Sequence, residues 1–230
     1  MNALEAVEVF AKRKARQYSP GYLSRRDLNR LAAKDFVLIS KNCWGGQVYR
    51  HLNLPYNTPF VGLFLMAPDY LKLLRRFDYY MAQPLEFVPV SRYRTGLSEK
   101  YPIGVLDDIE IHFQHYENEV EATEKWNRRK KRMLENKNTD RFFFTMCDRR
   151  ECTPGMLRAF HQLPFKNKLS FGVDRIDGLT PLEHIRVQHW PPGKRKYVRN
   201  GKKLFKLTFL YVDLVHWLNT GNVRRTRFKT

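Results

Sequence analysis

Carboxylates are the scarce charge in this sequence, which carries 23 acidic against 42 basic side chains and a net charge of +19. The shortage is uneven. Residues 194–230 hold eleven basic residues and one acidic, residues 125–137 seven and one, and residues 1–34 eight and three, whereas residues 35–124 hold eight and twelve. The positive excess therefore sits at both ends and on one central stretch, so a polyanion would meet the periphery of the fold before its middle. Cysteine is scarce as well. Cys43, Cys147 and Cys152 are too few and too irregular for a disulfide framework, which predicts a reducing, intracellular setting. With no second Cys/His pair, Cys147 and Cys152 do not read as a structural zinc site. No apolar run approaches the roughly 18 residues of a membrane-spanning helix, and no N-terminal segment reads as a signal peptide. The expected location is cytoplasmic, with peripheral contact on the inner membrane face as an extension. No internal repeat, low-complexity segment or RNA- or DNA-binding motif is present, so nucleic acid is not an expected partner.

What is present is bulk for a core: 43% of residues are hydrophobic and 14% aromatic. The organising stretch is Lys34 to Arg50. Phe36–Ile39 is an apolar run of strand length, Ser40–Trp44 interrupts it, and Gly45 and Gly46 permit backbone angles closed to other residues. Val48 and Leu52 then resume at helical spacing. A strand, a glycine-containing loop and a helix start make an anion-binding corner, because free helix N–H groups point into the loop. Asn42, Cys43, Trp44, Gly45 and Gly46 are the candidate ligand-binding residues, with Trp44 as a stacking platform. The alternative is a tight structural turn with Cys43 and Trp44 in the core. The corner is not a P-loop, since it lacks the Gly-Lys-Ser/Thr ending. Cys43 could act as a nucleophile if a helix N-terminus or a histidine, His112 or His115, lowered its pKa.

The rest of the pattern alternates strands and helices, which predicts an α/β fold of three layers around a mixed, mostly parallel sheet. N-terminal helices are expected over Leu4–Arg16 and from an N-cap at Ser24, forming an arm over 1–34. A single α/β domain follows over 35–222, then a basic tail over 223–230. Phe60–Met66, Leu85–Val90, Phe142–Met146 and Leu169–Val173 read as strands. Glu117–Leu134 reads as a helix with an inward stripe of Ala122, Trp126 and Met133, acidic at its start and basic at its end. Val212–Leu218 reads as a final helix. Arg199–Lys202, centred on Asn200-Gly201, reads as the turn of a C-terminal hairpin. In Ile103–Tyr116 the alternation of Ile109, Ile111 and Phe113 with Asp108, Glu110 and His112 predicts a half-buried strand that puts the polar three on one face and His115 on the other. Asp108 and Glu110 could hold one divalent cation, or form a solvated or salt-bridged face. Cys147–Cys152, followed by the N-cap Thr153-Pro154, repeats the opening device and places Asp148 and Arg149 at a strand's C-terminal end, where α/β sheets bind ligands.

As a set, these stretches resemble a bacterial family of exopolysaccharide biosynthesis proteins known by its domain-of-unknown-function number, 1919. The resemblance is carried by Ser40–Gly46, Tyr56–Phe64, Tyr101–Gly104, Asp108–Phe113 with His115-Tyr116, Lys125-Trp126 with Arg128-Arg129, and Leu163–Lys168. It spans roughly Phe36 to Val173, with a weaker echo at Tyr211–Asn219. Two departures stand out: Glu151 where a glycine is expected and Asp107 where something small is. The resemblance implies an α/β fold and a place in capsule or exopolysaccharide assembly, with no mechanism attached. The resulting expectation is a protein that binds a sugar, nucleotide-sugar or phosphorylated glycan, with glycosyl or related transfer as its candidate activity; the alternative is a non-enzymatic basic protein of the membrane periphery or of nucleic acid. Asn42–Gly46, Asn57, Glu110, Asp148 and Arg149 are its ligand-binding candidates, and Asp108, His112 and His115 its catalytic ones. No resident cofactor is read from the sequence beyond that optional divalent metal.

Overall fold

The structure, a computed structural model, describes residues 20–93, 100–187 and 196–226, together with helical residues at Val7, Phe10, Ala11 and Lys14. Most of the helix expected over Leu4–Arg16, and the last four residues of the basic tail, lie outside the described residues. In chain order the elements are α1 (Pro20–Asn29), β1 (Val37–Ser40), α2 (Trp44–His51), α3 (Ala67–Arg75), α4 (Phe77–Ala82), β2 (Glu86–Val88), β3 (Ile103–Leu106), β4 (Ile109–His112), α5 (Glu119–Glu135), β5 (Phe142–Cys147), α6 (Pro154–Gln162), β6 (Asn167–Gly172), β7 (His184–Arg186), α7 (Gly201–Thr208) and α8 (Leu214–Thr220).

Four strands form a parallel sheet in the order β1-β5-β6-β7, and β2, β3 and β4 form a small antiparallel sheet. The side-chain period of two splits the parallel strands between two cores. Val37, Ile39, Phe142, Phe144 and Met146 join the core built with α3, α4, α5, α6 and the antiparallel sheet. Leu38, Phe143, Leu169 and Phe171 join the core built with α2, α7 and α8. A strand covered on both faces needs apolar residues at every position, which is why β5 reads Phe-Phe-Phe-Thr-Met-Cys without alternation. The architecture is the expected α/β one, with helices on both faces of the sheet.

Local signals account for several helix ends. Asn118 caps α5 by accepting from Glu121 N, and Thr153 caps α6 by accepting from Met156 N ahead of Pro154. Asp213 caps α8, and Gly221, at φ 75°, ends it. Helix α1 begins at Pro20, so Ser24 is not its N-cap; the Ser24 hydroxyl instead donates to the carbonyl of His51. Buried Asp27 on the same helix meets His51 at 2.9 Å, and Leu31 enters the second core, so this part of the N-terminal arm is packed onto the α/β body. The start of the basic tail is held too, since Thr226 N donates to Tyr211 O and Arg224 pairs with Asp213.

Three expectations need correction. The Asn200-Gly201 pair does not turn a hairpin. Asn200 caps α7 by accepting from Lys203 N, and burial of Leu204, Phe205 and Thr208 with exposure of Lys202, Lys203 and Lys206 follows a helical period. Phe60–Met66 is not a strand. Gly62 turns the chain at φ 77°, and a single antiparallel bridge joins Phe64 to His112. Ile103–Tyr116 is not one half-buried strand but the hairpin β3–β4, turning at Asp107-Asp108, with β4 buried on both faces. Glu110 and His112 are therefore interior residues.

Candidate functional site

The end of β1 is tied down by charge and by contact. Lys41 is 1% exposed, and its Nζ donates to the carbonyls of Cys147 at 2.8 Å and Arg149 at 2.6 Å, stitching β1 to the loop after β5. The Asn42 side chain accepts from Trp44 N at 2.9 Å and fixes the chain's entry into α2. Gly45 and Gly46 lie inside the first turn of that helix, with no positive φ. Their role is close approach rather than unusual backbone angles. A Cβ on Gly45 would fall 2.9 Å from Ser40 Cβ, and one on Gly46 3.1 Å from Val61 Cγ1.

Helix α7 packs alongside α2 with the two N-termini together. A Cβ on Gly201 would lie 2.6 Å from Trp44 N and 2.7 Å from Asn42 Oδ1, while at the other end the rings of Phe205 and Phe209 sit 5.7 and 5.0 Å from that of His51. The positive ends of two helix dipoles thus share one corner.

A cleft of about 390 Å³ opens beside this corner. Cys43, Gly46, Gln47 and Arg50 line it from the start of α2, Tyr56, Val61 and Gly62 from the following crossover, His115 and Tyr116 from beyond β4, Lys125 and Arg129 from α5, and Lys202 from α7. No carboxylate among the described residues lines it. Arg50 and Lys202 form no ion pair among the described residues, while Lys125 pairs with Glu121 one helical turn away. Arg129 is the unusual member. It is 9% exposed, its Nη1 donates to Tyr116 Oη at 2.7 Å, and its guanidinium lies 4.9 Å from the centre of the Tyr56 ring. No described carboxylate stands within ion-pair distance, and neither Nε nor Nη2 has a hydrogen-bond partner among the described residues. Tyr116 Oη donates a hydrogen bond to Val61 O at 2.6 Å, and burial raises its pKa against the nearby Arg129 charge.

The structure brings Cys43, Gly46 and His115 together in this cleft and sends the other candidates elsewhere. Trp44 is core, with its indole N–H donated to Thr208 at 2.8 Å, so it is no stacking platform. The Cys43 thiol is not activated. Burial pushes its pKa up by more than its own backbone N–H and Arg150 lower it. Asn57 supports the fold, donating to Phe36 O at 2.7 Å and accepting from Tyr49. His112 is buried and stacked on Phe64 at 4.4 Å, away from the cleft lining. Asp108 and Glu110 do not converge on one ion. Asp108 faces Lys72 and Tyr80, which hold its carboxyl below the usual range, whereas Glu110 is buried and accepts from Ser91 Oγ at 2.7 Å and Arg92 N at 2.8 Å. Asp148 accepts from Val173 N at 2.8 Å and Val198 N at 2.9 Å, and Arg149 donates to Val198 O at 3.0 Å, so both pin loops at the C-terminal edge of the sheet. Burial raises the Asp148 pKa despite those amides.

Arg50, Tyr56 and Lys202 escaped the sequence reading. For Arg129 a signal exists. It lies on the same inward stripe of α5 as Ala122, Trp126 and Met133, all four buried, and a cation on a buried stripe calls for a reason.

The model of the family described as "Domain of unknown function (DUF1919)" matches residues 14–219. That match reaches further toward the N-terminus than the stretches carrying the resemblance, ends where their weaker echo ends, and takes in α1, α7 and most of α8. A protein of Haemophilus influenzae, itself described only as uncharacterized, is 37% identical over 171 residues, covering 74% of this chain and 76% of the relative. No helix among the described residues is long and apolar enough to cross a membrane. With the family model covering nearly the whole chain, this protein belongs to the DUF1919 family.

Proposed function

We propose that the cleft binds a small phosphorylated ligand of the sugar-phosphate or nucleotide-sugar class, and that the protein serves exopolysaccharide or capsule assembly, acting there as a transferase. The observation that carries the binding reading is Arg129, a residue 9% exposed that lines the cleft, stands beyond ion-pair distance of every described carboxylate, and leaves Nε and Nη2 without a hydrogen-bond partner among the described residues. A buried cation without a counter-charge is expensive unless a ligand supplies one. Guanidinium groups suit phosphate oxygens, and helix N-termini favour anions in the same place. Tyr56 offers a partly buried ring for a sugar or base, and His115 is the side chain of the cleft suited to proton transfer. The exopolysaccharide assignment rests on the sequence resemblance alone.

A thermal-shift series with nucleotide-sugars, sugar phosphates and free sugars tests the reading. Stabilisation by the phosphorylated compounds, absent with the free sugars and lost in Arg129→Met, is the expected result. Saturating a site at a hundred times its Kd stabilises by about 2.7 kcal/mol, so a flat series at millimolar ligand would rule out micromolar binding.

A second reading concerns the periphery. Val7 and Phe10 are exposed on a helix whose Lys14 lies over the Phe10 ring, a pattern suited to an anionic membrane surface. Flotation with anionic vesicles that persists after removal of residues 1–14 would contradict it.

A further inference from the structure

The charge balance of the cleft, taken with the binding reading above on which it rests, allows the ligand to be specified further. Four cations line the cleft, and only Lys125 has a described carboxylate partner. Glu121, which pairs with Lys125, also has its pKa lowered by the Arg129 charge, so the four cations share one carboxylate and a positive excess of three is left. One phosphate monoester brings about −1.5 to −2, which leaves cationic charge over; a diphosphate esterified at both ends brings about the same, whereas a diphosphate esterified at one end only keeps a further ionisable oxygen and meets it. The positions agree, since Arg129 and Lys125 project from α5 while Arg50 and Lys202 come from the α2–α7 pair, so cations stand on two walls of one cleft.

The donors present also bear on metal. Divalent cations that accompany diphosphates take hard oxygen ligands, carboxylates above all. This cleft has none, and its walls draw on two long segments, residues 36–68 and 184–212, that contain no aspartate or glutamate. Among the described residues no group of three or more His, Cys, Asp or Glu side chains converges anywhere. A metal–diphosphate complex would set a dication among arginines and lysines with no protein ligand to hold it.

We infer that the cleft takes a diphosphate esterified at one end, as the free anion, with Arg50, Lys125, Arg129 and Lys202 occupying the place of a divalent cation. Bound metal and the protein's cations then compete for the same phosphate oxygens, so magnesium weakens binding.

Titration calorimetry with inorganic pyrophosphate and inorganic phosphate, each in EDTA and in excess Mg²⁺, tests this on the full chain. Pyrophosphate should bind at least tenfold tighter than phosphate in EDTA, and excess Mg²⁺ should weaken it severalfold. Arg50→Gln and Lys202→Gln change exposed side chains, leave the melting temperature near that of the parent, and should each weaken pyrophosphate severalfold while lowering its salt dependence. Equal affinity for phosphate and pyrophosphate, or pyrophosphate binding that requires Mg²⁺, overturns the inference while leaving a phosphate site intact. If neither anion nor any nucleotide-sugar binds, the underlying reading falls with it.

Discussion

Replacing Arg129 with methionine should leave the stability of the ligand-free protein within about 1–2 kcal/mol of the parent's and damage its binding, a combination that a merely structural arginine would not produce. Methionine keeps an unbranched apolar stem in the space between Tyr56 and Tyr116 and fills irregular gaps well. The losses are one hydrogen bond to Tyr116 Oη and one cation–π contact with Tyr56, worth about 1.5–3 and 0.5–2 kcal/mol respectively. Tyr116 Oη is not orphaned, because its bond to Val61 O survives. The gain is relief from holding a cation out of water without a carboxylate, a penalty of several kcal/mol. The losses total about 2–5 kcal/mol and the gain is of similar size, so the two nearly cancel. Binding moves the other way, since loss of a charge-assisted hydrogen bond to phosphate costs about 1.5–3 kcal/mol, a factor of about 10 to 150 in Kd. Urea unfolding followed by the fluorescence of buried Trp44, Trp126 and Trp217, beside pyrophosphate calorimetry, measures both quantities. A variant less stable than the parent by more than about 2 kcal/mol that binds pyrophosphate equally well would refute the reasoning, because Arg129 would then be a packing residue whose charge is satisfied within the fold.

Three further outcomes follow from the geometry. Gly201→Ala drives a Cβ into the backbone of Trp44 and Cys43, which cannot rotate away, so it should destabilise by about 1–3 kcal/mol in thermal unfolding and loosen the α2–α7 corner enough to weaken pyrophosphate. Glu151→Gly should stabilise by about 0.5–1 kcal/mol in the same assay, because Glu151 holds φ 59°, a region that favours glycine; loss of stability would show that the side chain makes a compensating contact. His161, which shares Ser170 with His184 in a buried chain, has its pKa lowered to about 4 by burial. The unfolded chain therefore binds more protons between pH 6.5 and 4, so stability falls with falling pH across that window, by on the order of 2–3 kcal/mol. His161→Gln should flatten that slope in a pH series of urea midpoints, and an unchanged slope would assign it to other groups.

Much of the fold was legible because periodicity and capping agree along the chain. The apolar run of β5, the Thr153 cap and the stripe of α5 all mean what their spacing implies. Errors arose where one signal has two structural uses. Asn-Gly suits a tight hairpin turn, but the same asparagine caps a helix and the same glycine allows contact with a neighbouring backbone. The period of two in Asp108–Phe113 was real, yet burial on the polar face depends on Asp69, Ser91 and Arg92, which meet Glu110 from elsewhere in the chain. Gly45 and Gly46 were singled out for their backbone angles, whereas they have ordinary helical φ and the constraint on them is the distance to Ser40 and Val61. The two departures from the family pattern proved informative in a different way. Asp107 and Glu151 have φ of 54° and 59°, so glycine or a small residue would sit there with less strain. The cleft was half visible. Cys43, Gly46 and His115 were named for chemistry, but Arg50, Tyr56 and Lys202 reach it through pairings that no local pattern encodes.

The parallel pairing that creates the site also dates its assembly. Val37 cannot find Phe142 until the intervening helices and the whole antiparallel sheet have been synthesised, and Gly201 and Lys202 arrive later still. Contacts this distant in sequence are slow to form, because loop closure must come before they are rewarded. A nascent chain released before α7 would present the first corner with one wall missing and the apolar flank of α2 uncovered. The anion cleft thus comes into being only with nearly the full chain, and an affinity for phosphate would report completion of folding as well as the presence of ligand.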